Sequence, residues 1–557
     1  MRVFYYVIAF SLLVQLAPAI AHGQYYFKHY QVDDGLLHNA VTSVIQDKNG
    51  MIWVGTRAGL NRFDGYTFKP CDNRKSTINN IGNNIVNVVT EGRNGKLWVA
   101  TAKGLFSYNP HQEISQRVQT VPASYIHHLV RDTRDNLWFI NNGTLYRYQS
   151  DKGKLDNLEL QSACIAADGT AGLWIGREDG TIGRYHFKTG ALVNTTIIDA
   201  RTPPHLRSIS KIYPISDSEV LIGCFTQGLK LYNHKTGVCS SLPLVKNVQA
   251  SIYVRDIIHG EGEQYWIATE SGIYIYDLAT QTAQHLQKRL NDPYALNDNP
   301  VYTFCKDRQG GMWVGSYFGG INYYSKENAR FKKYYPQPGV NSISGNAVRK
   351  IVADTKGQLW IGTEDAGVNR LNLGTGQFTH YTATGKKEDI AYYNVHGLLA
   401  LGNRLFVGMF YNGMDIMDTR TGRVTDHFKV IKDGAEQVID FVSCIYLTKD
   451  STILVGSAYH GASLLTYNPA NKTFKRVPQI PYNSYTWDIR EDSKGNIWTG
   501  SVSRGAYYYH PKTGETGNIR FGDTVNNSVV NEFAVYSIWE DRNHFLWFAT
   551  TGGGLIK

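Results

Sequence analysis

The chain predicts an all-β fold of tandem β-propellers, the first seven-bladed and the second incomplete with five blades present, and three observations carry that reading. The first is a phrase that opens as NGMIWVGTRAGLNRFDG at Asn49 and returns twelve times along the 557 residues. Its anchor aromatic falls at Trp53, Trp98, Trp138, Trp174, Trp266, Trp313, Trp360, Trp498 and Trp547, and Leu221, Phe406 and Leu454 fill the same slot elsewhere. The mean step is about 45 residues, the length of one four-stranded blade. The second is composition: 13 % aromatics and 54 Gly against 16 Pro suit many short strands joined by tight turns. The third is a leader segment that occurs twice, seven units apart.

In chain order, Arg2 precedes an apolar run from Val3 to Ala17 and small residues ending Ala19-Ile20-Ala21. Basic, apolar and small-residue regions in that order predict a signal peptide over residues 1–23, hence export from the cytoplasm. The run is short for a bilayer span, and no lipobox cysteine follows it.

The first unit, Ala40 to Phe68, shows how a blade is written. Ala40 to Gln46 is rich in β-branched residues and makes the innermost strand. Asp47-Lys48-Asn49-Gly50 is a turn in which Asp can bond its own backbone. Met51 to Thr56 is a second strand, nearly continuous in apolar residues because neighbouring blades cover both faces. Arg57-Ala58-Gly59 turns the chain, Leu60 to Asp64 returns it, and Tyr66-Thr67-Phe68 begins the outer strand. The Trp of the second strand fills the wedge between sheets. Nine copies of a catalytic Trp, with Leu or Phe in its place in three further units, would make no chemical sense.

Phe27-Lys28-His29-Tyr30 stands ahead of the first unit and Phe331-Lys332-Lys333-Tyr334-Tyr335 ahead of the eighth. Such a leader completes the outer edge of the last blade, which joins the ring and removes an exposed edge. The expected organisation is a seven-bladed ring over 24–328 and a truncated second ring over 329–557, its last unit stopping just after the second strand.

The formal charge of +10 favours an acidic partner, but Lys and Arg are dispersed with no run of four, so no nucleic-acid groove is expected. Six cysteines show no C-x-x-C pair and no neighbouring His cluster, so neither a metal site nor a cofactor is expected. Cys224 and Cys239 fall within one blade and could pair in an oxidising compartment, although buried free thiols are the favoured reading.

The pattern V-x-x-[IV]-x-x-D-x-x-G-x-[LIM]-W-[VI]-G-T-x-x-G-[LV]-x-R runs from Val41 to Arg62 and, with one residue more between Thr363 and Gly367, again from Val348 to Arg370, with Asp34-Gly35-Leu36 and Asn39 ahead of the first copy. On these residues the chain resembles the two-component regulator propeller repeat family. The resemblance implies the periplasmic sensing region of a Bacteroidetes-type hybrid two-component histidine kinase. It further implies an oligosaccharide ligand from polysaccharide breakdown, control of glycan-utilisation genes, and a membrane tether and kinase in a C-terminal part outside this sequence. The chain is thus expected to be a fragment without enzyme activity of its own. Whether it pairs as a homodimer stays open.

The family supplies no fixed ligand contacts, so candidates come from where the repeat breaks. The turn between second and third strands is small in three blades, Arg57-Ala58-Gly59, Ala102-Lys103-Gly104 and Glu270-Ser271-Gly272. In blades seven to eleven it carries Tyr317 and Phe318, Glu364 and Asp365, Phe410 and Tyr411, Tyr459 and His460, and Arg504. Sugars need apolar faces for C–H surfaces and fixed polar groups for hydroxyls, and this set offers both at one expected mouth, for an oligosaccharide that is acidic if Arg504 contributes. Asn394, His396, Tyr485 and Trp487, between blades, are second-rank candidates.

A secreted carbohydrate-active enzyme is the rival reading, with Glu364 and Asp365 as acid and base. Adjacent residues in one turn rarely straddle a glycosidic bond, and no catalytic residue is assigned. Thr-Gly pairs at Thr189, Thr236, Thr421 and Thr513 resemble those of quinone-dependent dehydrogenases. There a Trp follows the pair, whereas here it sits in the second strand, so these are read as turns. A purely structural interaction scaffold is the third option.

Overall fold

The computed structural model describes residues 25–557 apart from 72–80, 82–84, 170–171, 246–250, 328–330, 430, 434–435, 458–462, 483, 503 and 526–527. The expected signal peptide, Tyr459 and His460 lie outside the described residues. The chain divides into two compact units, 1–332 and 333–557.

In the first unit, antiparallel four-stranded sheets follow one another along 41–70, 86–117, 126–161, 164–196, 209–242 and 254–286. A seventh combines 301–324 with the leader Phe27–Tyr30, in the register Phe27↔Tyr324 to Tyr30↔Ile321. The first strands neighbour one another in a closed cycle, that of the seventh sheet lying against that of the first. The leader therefore hides a sheet edge, as a closing strand should. The arrangement is propeller-like and all β, with two short 3-10 turns as the only helical elements among the described residues.

The second unit holds four-stranded sheets over 348–381, 395–428, 444–476 and 486–519, a three-stranded sheet over 535–556, and two hairpins at 431–439 and 522–532. Two expectations need correction here. The last unit does not stop after its second strand, because Leu555 and Ile556 pair with Ala549 and Phe548 as a short third strand. The second leader makes no strand among the described residues, and Phe331 and Tyr334 are 72 % and 43 % exposed. The physical reason lies in the neighbours: first strands pack in series from the first sheet to the fifth, and Val348 and Ile351 are 46 % and 54 % exposed where Val41 and Val44 of the first unit are 0 % and 3 %.

The repeated phrase encodes a buried polar clasp. In the first sheet the carboxylate of Asp47 accepts the indole N–H of Trp53 at 2.8 Å and the backbone N–H groups of Asn49 and Met51. The same six-residue step joins Asp132 to Trp138, Asp307 to Trp313, Asp354 to Trp360, Asp492 to Trp498 and Asp541 to Trp547. A buried indole N–H needs such a partner, and the Asp turn supplies it while fixing the hairpin. In the fourth sheet Asp168 pairs instead with Arg184, and the Trp174 N–H has no partner among the described residues. In several sheets an Arg opposite the Trp on the paired strand lies over its ring, as Arg370 does over Trp360 at 5.7 Å.

Cys224 and Cys239 are free, and a third strand, Leu229–Asn233, lies between theirs. Strands two steps apart are separated by roughly 10 Å, beyond the reach of a disulfide.

Candidate functional site

The side chains that converge at each unit's mouth are placed by a bulge at one repeating position. Val41 faces Thr56 and Ser43 faces Gly55, which leaves Thr42 as an extra residue in the first strand. The same shift leaves Asn87, His127, Ser210, Arg255 and Tyr302 extra in the first unit, and Arg349, His396, Trp487 and Tyr536 in the second. A bulge bends the strand and re-aims one side chain. Where that residue is short it fastens to the next sheet: Asn87 donates to the Ile126 carbonyl at 2.7 Å and Ser210 to that of Val254 at 2.6 Å. Where it is long it projects to the centre.

In the second unit the bulge residues meet. The Arg349 guanidinium lies over the Trp487 ring at 4.9 Å, and Trp487 contacts His396 at 6.1 Å and Tyr536 at 5.6 Å. His396 also meets Phe441 at 4.9 Å and Phe410 at 5.8 Å. Tyr411, 51 % exposed, stands against Phe410 and Tyr392 and opens this nest to solvent. Three buried polar atoms here have no partner among the described residues: Asn394 Oδ1, His396 Nδ1 and Trp487 Nε1. Buried orphans of this kind are rare and call for an explanation such as a ligand or water. Burial, and then the nearby Arg349 charge, push the His396 imidazole down to about 4, so it is neutral at physiological pH.

The expected site is therefore rearranged. Phe410, Tyr411, Asn394, His396 and Trp487 come together, and Tyr485 takes a positive φ of 54° just before the bulge. Tyr317 and Phe318 belong to the first unit, in the sheet that the leader closes. Asp365 accepts the Asn346 N–H at 2.9 Å and braces its turn. Glu364 lies 3.7 Å from Arg349. Arg504 is exposed, its carbonyl taken by Asn518, and among the described residues its side chain has no ring or carboxylate partner. Arg349, missed in the sequence, is the cation at the nest.

Sequence reasoning also missed the mouth of the first unit. The first strands of all seven sheets enclose a cavity of about 900 Å³, and all six bulge residues line it. Arg255 lies between the rings of Tyr253 and Tyr302, at 4.4 and 4.0 Å, and is held by Glu270 at 2.5 Å. Tyr302 touches Tyr317, over which Arg57 sits at 4.8 Å. Deeper in, Lys211 pairs with Asp256 at 2.6 Å, and burial pushes His127 and, further, His128 below the usual imidazole range. The readable signal was the second residue of each first strand, which changes from unit to unit while its flanks repeat.

Comparison with known proteins agrees with the repeat. Residues 35–58, 295–318 and 342–365 match the two component regulator propeller family. A stretch of 63 residues is 46 % identical to a histidine kinase of Formosa agariphila, and it spans 11 % of this chain and 4 % of that kinase. The extracellular domain of a protein assigned as a hybrid two component system in B. thetaiotaomicron has the same fold, with a TM-score of 0.56 at 20 % identity over 96 % of this chain and 83 % of that one. A second such domain from B. thetaiotaomicron gives a TM-score of 0.48 at 18 % identity over 96 % and 77 % of the two chains. Both units of the chain thus carry repeats that match the two-component regulator propeller family.

Proposed function

We infer that this chain is the extracytoplasmic ligand-sensing region of a hybrid two-component histidine kinase, built as a seven-bladed ring followed by five blades of a second. The observation that carries the reading is the repeat itself, matched in both units and set beside a segment shared with a histidine kinase. Export to the periplasm, a membrane tether and a kinase domain beyond these residues belong to the same proposal.

The ligand is an oligosaccharide, held at the second unit's mouth by the nest of His396, Phe410, Tyr411 and Trp487. Aromatic faces there can cover sugar C–H surfaces, and the three unpartnered polar atoms can bond hydroxyls. A neutral imidazole keeps an acceptor available throughout the physiological range. Calorimetric titration of the chain with a panel of plant and host oligosaccharides tests this. Saturable binding that disappears in Trp487→Ala is expected. A panel in which no oligosaccharide shows Trp487-dependent binding refutes the site, and release of new reducing ends or unsaturated products refutes the sensor reading in favour of an enzyme.

A further inference from the structure

We propose that the first unit carries a second, separate binding site, at the mouth of its central cavity, for a carboxylate-bearing saccharide. It rests on the reading of the chain as a saccharide sensor, but on none of the residues of the second unit.

The mouth is an arc of alternating rings and guanidinium groups, Tyr253, Arg255, Tyr302, Tyr317 and Arg57, drawn from three consecutive sheets of the cycle. The two arginines differ in one respect that decides the charge. Arg255 has its carboxylate in Glu270, and Lys211 below has Asp256, so both are neutralised within the protein. Arg57 is exposed, lies over the Tyr317 ring, and has no carboxylate partner among the described residues. A guanidinium oriented by an aromatic face and left without an anion is a ready receptor for a planar carboxylate. The hydroxyls of Tyr253, Tyr302 and Tyr317 also lack protein partners among the described residues, and a ligand with several hydroxyls can use them.

The cavity of about 900 Å³ lies within the range that holds small organic ligands. Its walls are the rigid first strands, and the bulges fix the arc's direction, so little ordering is required on binding. A rim that served only to brace the closing sheet would not require an unpaired cation. The class that fits is a short uronate oligosaccharide, with its carboxylate on Arg57 and its sugar rings against the tyrosines.

The test uses the whole chain and four probes, digalacturonate, dimannuronate and an unsaturated chondroitin disaccharide, with galactobiose as the neutral counterpart, each titrated calorimetrically. At least one acidic disaccharide should bind, more tightly than galactobiose and more weakly as salt rises. Arg57→Ala should weaken that binding at least tenfold, and Arg57→Lys should restore it only in part, since an ammonium keeps the charge without the planar fork. Tyr302→Phe, which keeps the ring, should cost less than Tyr302→Ala. Trp487→Ala should leave this binding unchanged, which separates it from the site in the second unit. Failure of all three acidic probes, an Arg57→Ala variant of full affinity, or loss of the binding in Trp487→Ala would each overturn the proposal.

Discussion

Arg349 lies over the indole of Trp487 at 4.9 Å, although the two residues come from the first and fourth sheets of their unit. The contact crosses the mouth rather than running along its wall. It is made by two bulge residues, and it leaves the Trp487 N–H buried and without a partner among the described residues. A scaffold optimised only for packing would satisfy that group, since an orphaned buried N–H costs about 1–3 kcal/mol.

Arg349, not Arg504, is expected to control affinity for acidic saccharides at the second unit. Arg349→Ala should cost about 1–2 kcal/mol, a loss in the range of a partly desolvated cation over an aromatic ring plus its charge. Arg504→Ala should change affinity little, because its side chain stands outside the nest. Calorimetry on both variants checks the order, and the reverse order would restore Arg504 to the site.

Truncating the exposed ring of Tyr411 should weaken saccharide binding by roughly 1–3 kcal/mol, as hot-spot aromatics do, while leaving the unfolding midpoint in place. Phe441, 2 % exposed, is a different case. Phe441→Ala should lower stability by about 3–5 kcal/mol through the cavity it leaves. Parallel urea melts and titrations distinguish the two effects.

The second unit should lose stability on mild acidification through His396. Its imidazole sits at about 4 when folded and near its ordinary value of 6.5 when unfolded. Below the unfolded value the unfolded chain takes up a proton that the folded chain refuses. The contribution is therefore complete above pH 6.5, declines as pH falls towards 4, and amounts to at most about 3 kcal/mol. Urea melts of the native chain and of His396→Phe between pH 7.5 and 4.5 should converge on this account, the variant showing the shallower dependence.

Asp47→Ala should destabilise the first unit by about 2–4 kcal/mol, because one carboxylate serves the buried Trp53 N–H and two backbone N–H groups. Asp168→Ala should cost less, since Asp168 pairs with Arg184 and clasps no Trp. Circular dichroism melts of the two variants would show the difference.

Cys239, the exposed thiol, should react first with a soluble disulfide reagent. Burial pushes Cys164, Cys224, Cys305 and Cys444 up to about 12, so they should react only on unfolding. A reductant should leave the melting curve unchanged. A stabilising oxidised form would contradict the strand order that separates Cys224 from Cys239.

Much of the fold was legible in the residues because each unit writes its own sheet. The Asp-turn, the apolar second strand and the Trp are local features, and hydrogen bonding between adjacent strands needs little beyond them. The leader was legible for the same reason, since Phe27–Tyr30 carries its own strand pattern. What the residues alone could not settle was which side chains meet at a mouth. That depends on a bulge of one residue, visible only in the register of paired strands, and on contacts between sheets far apart in sequence, such as Arg349 with Trp487. Loop length drew attention to the turns, and those of Tyr317 and Glu364 fell in different units. Closure of the cycle, a property of all seven sheets together, turned Arg57 from a residue of a short turn into part of a cavity rim. Residues close in sequence specify the sheets and their order, whereas the side chains that meet at each mouth are brought together by long-range packing and not by the repeat.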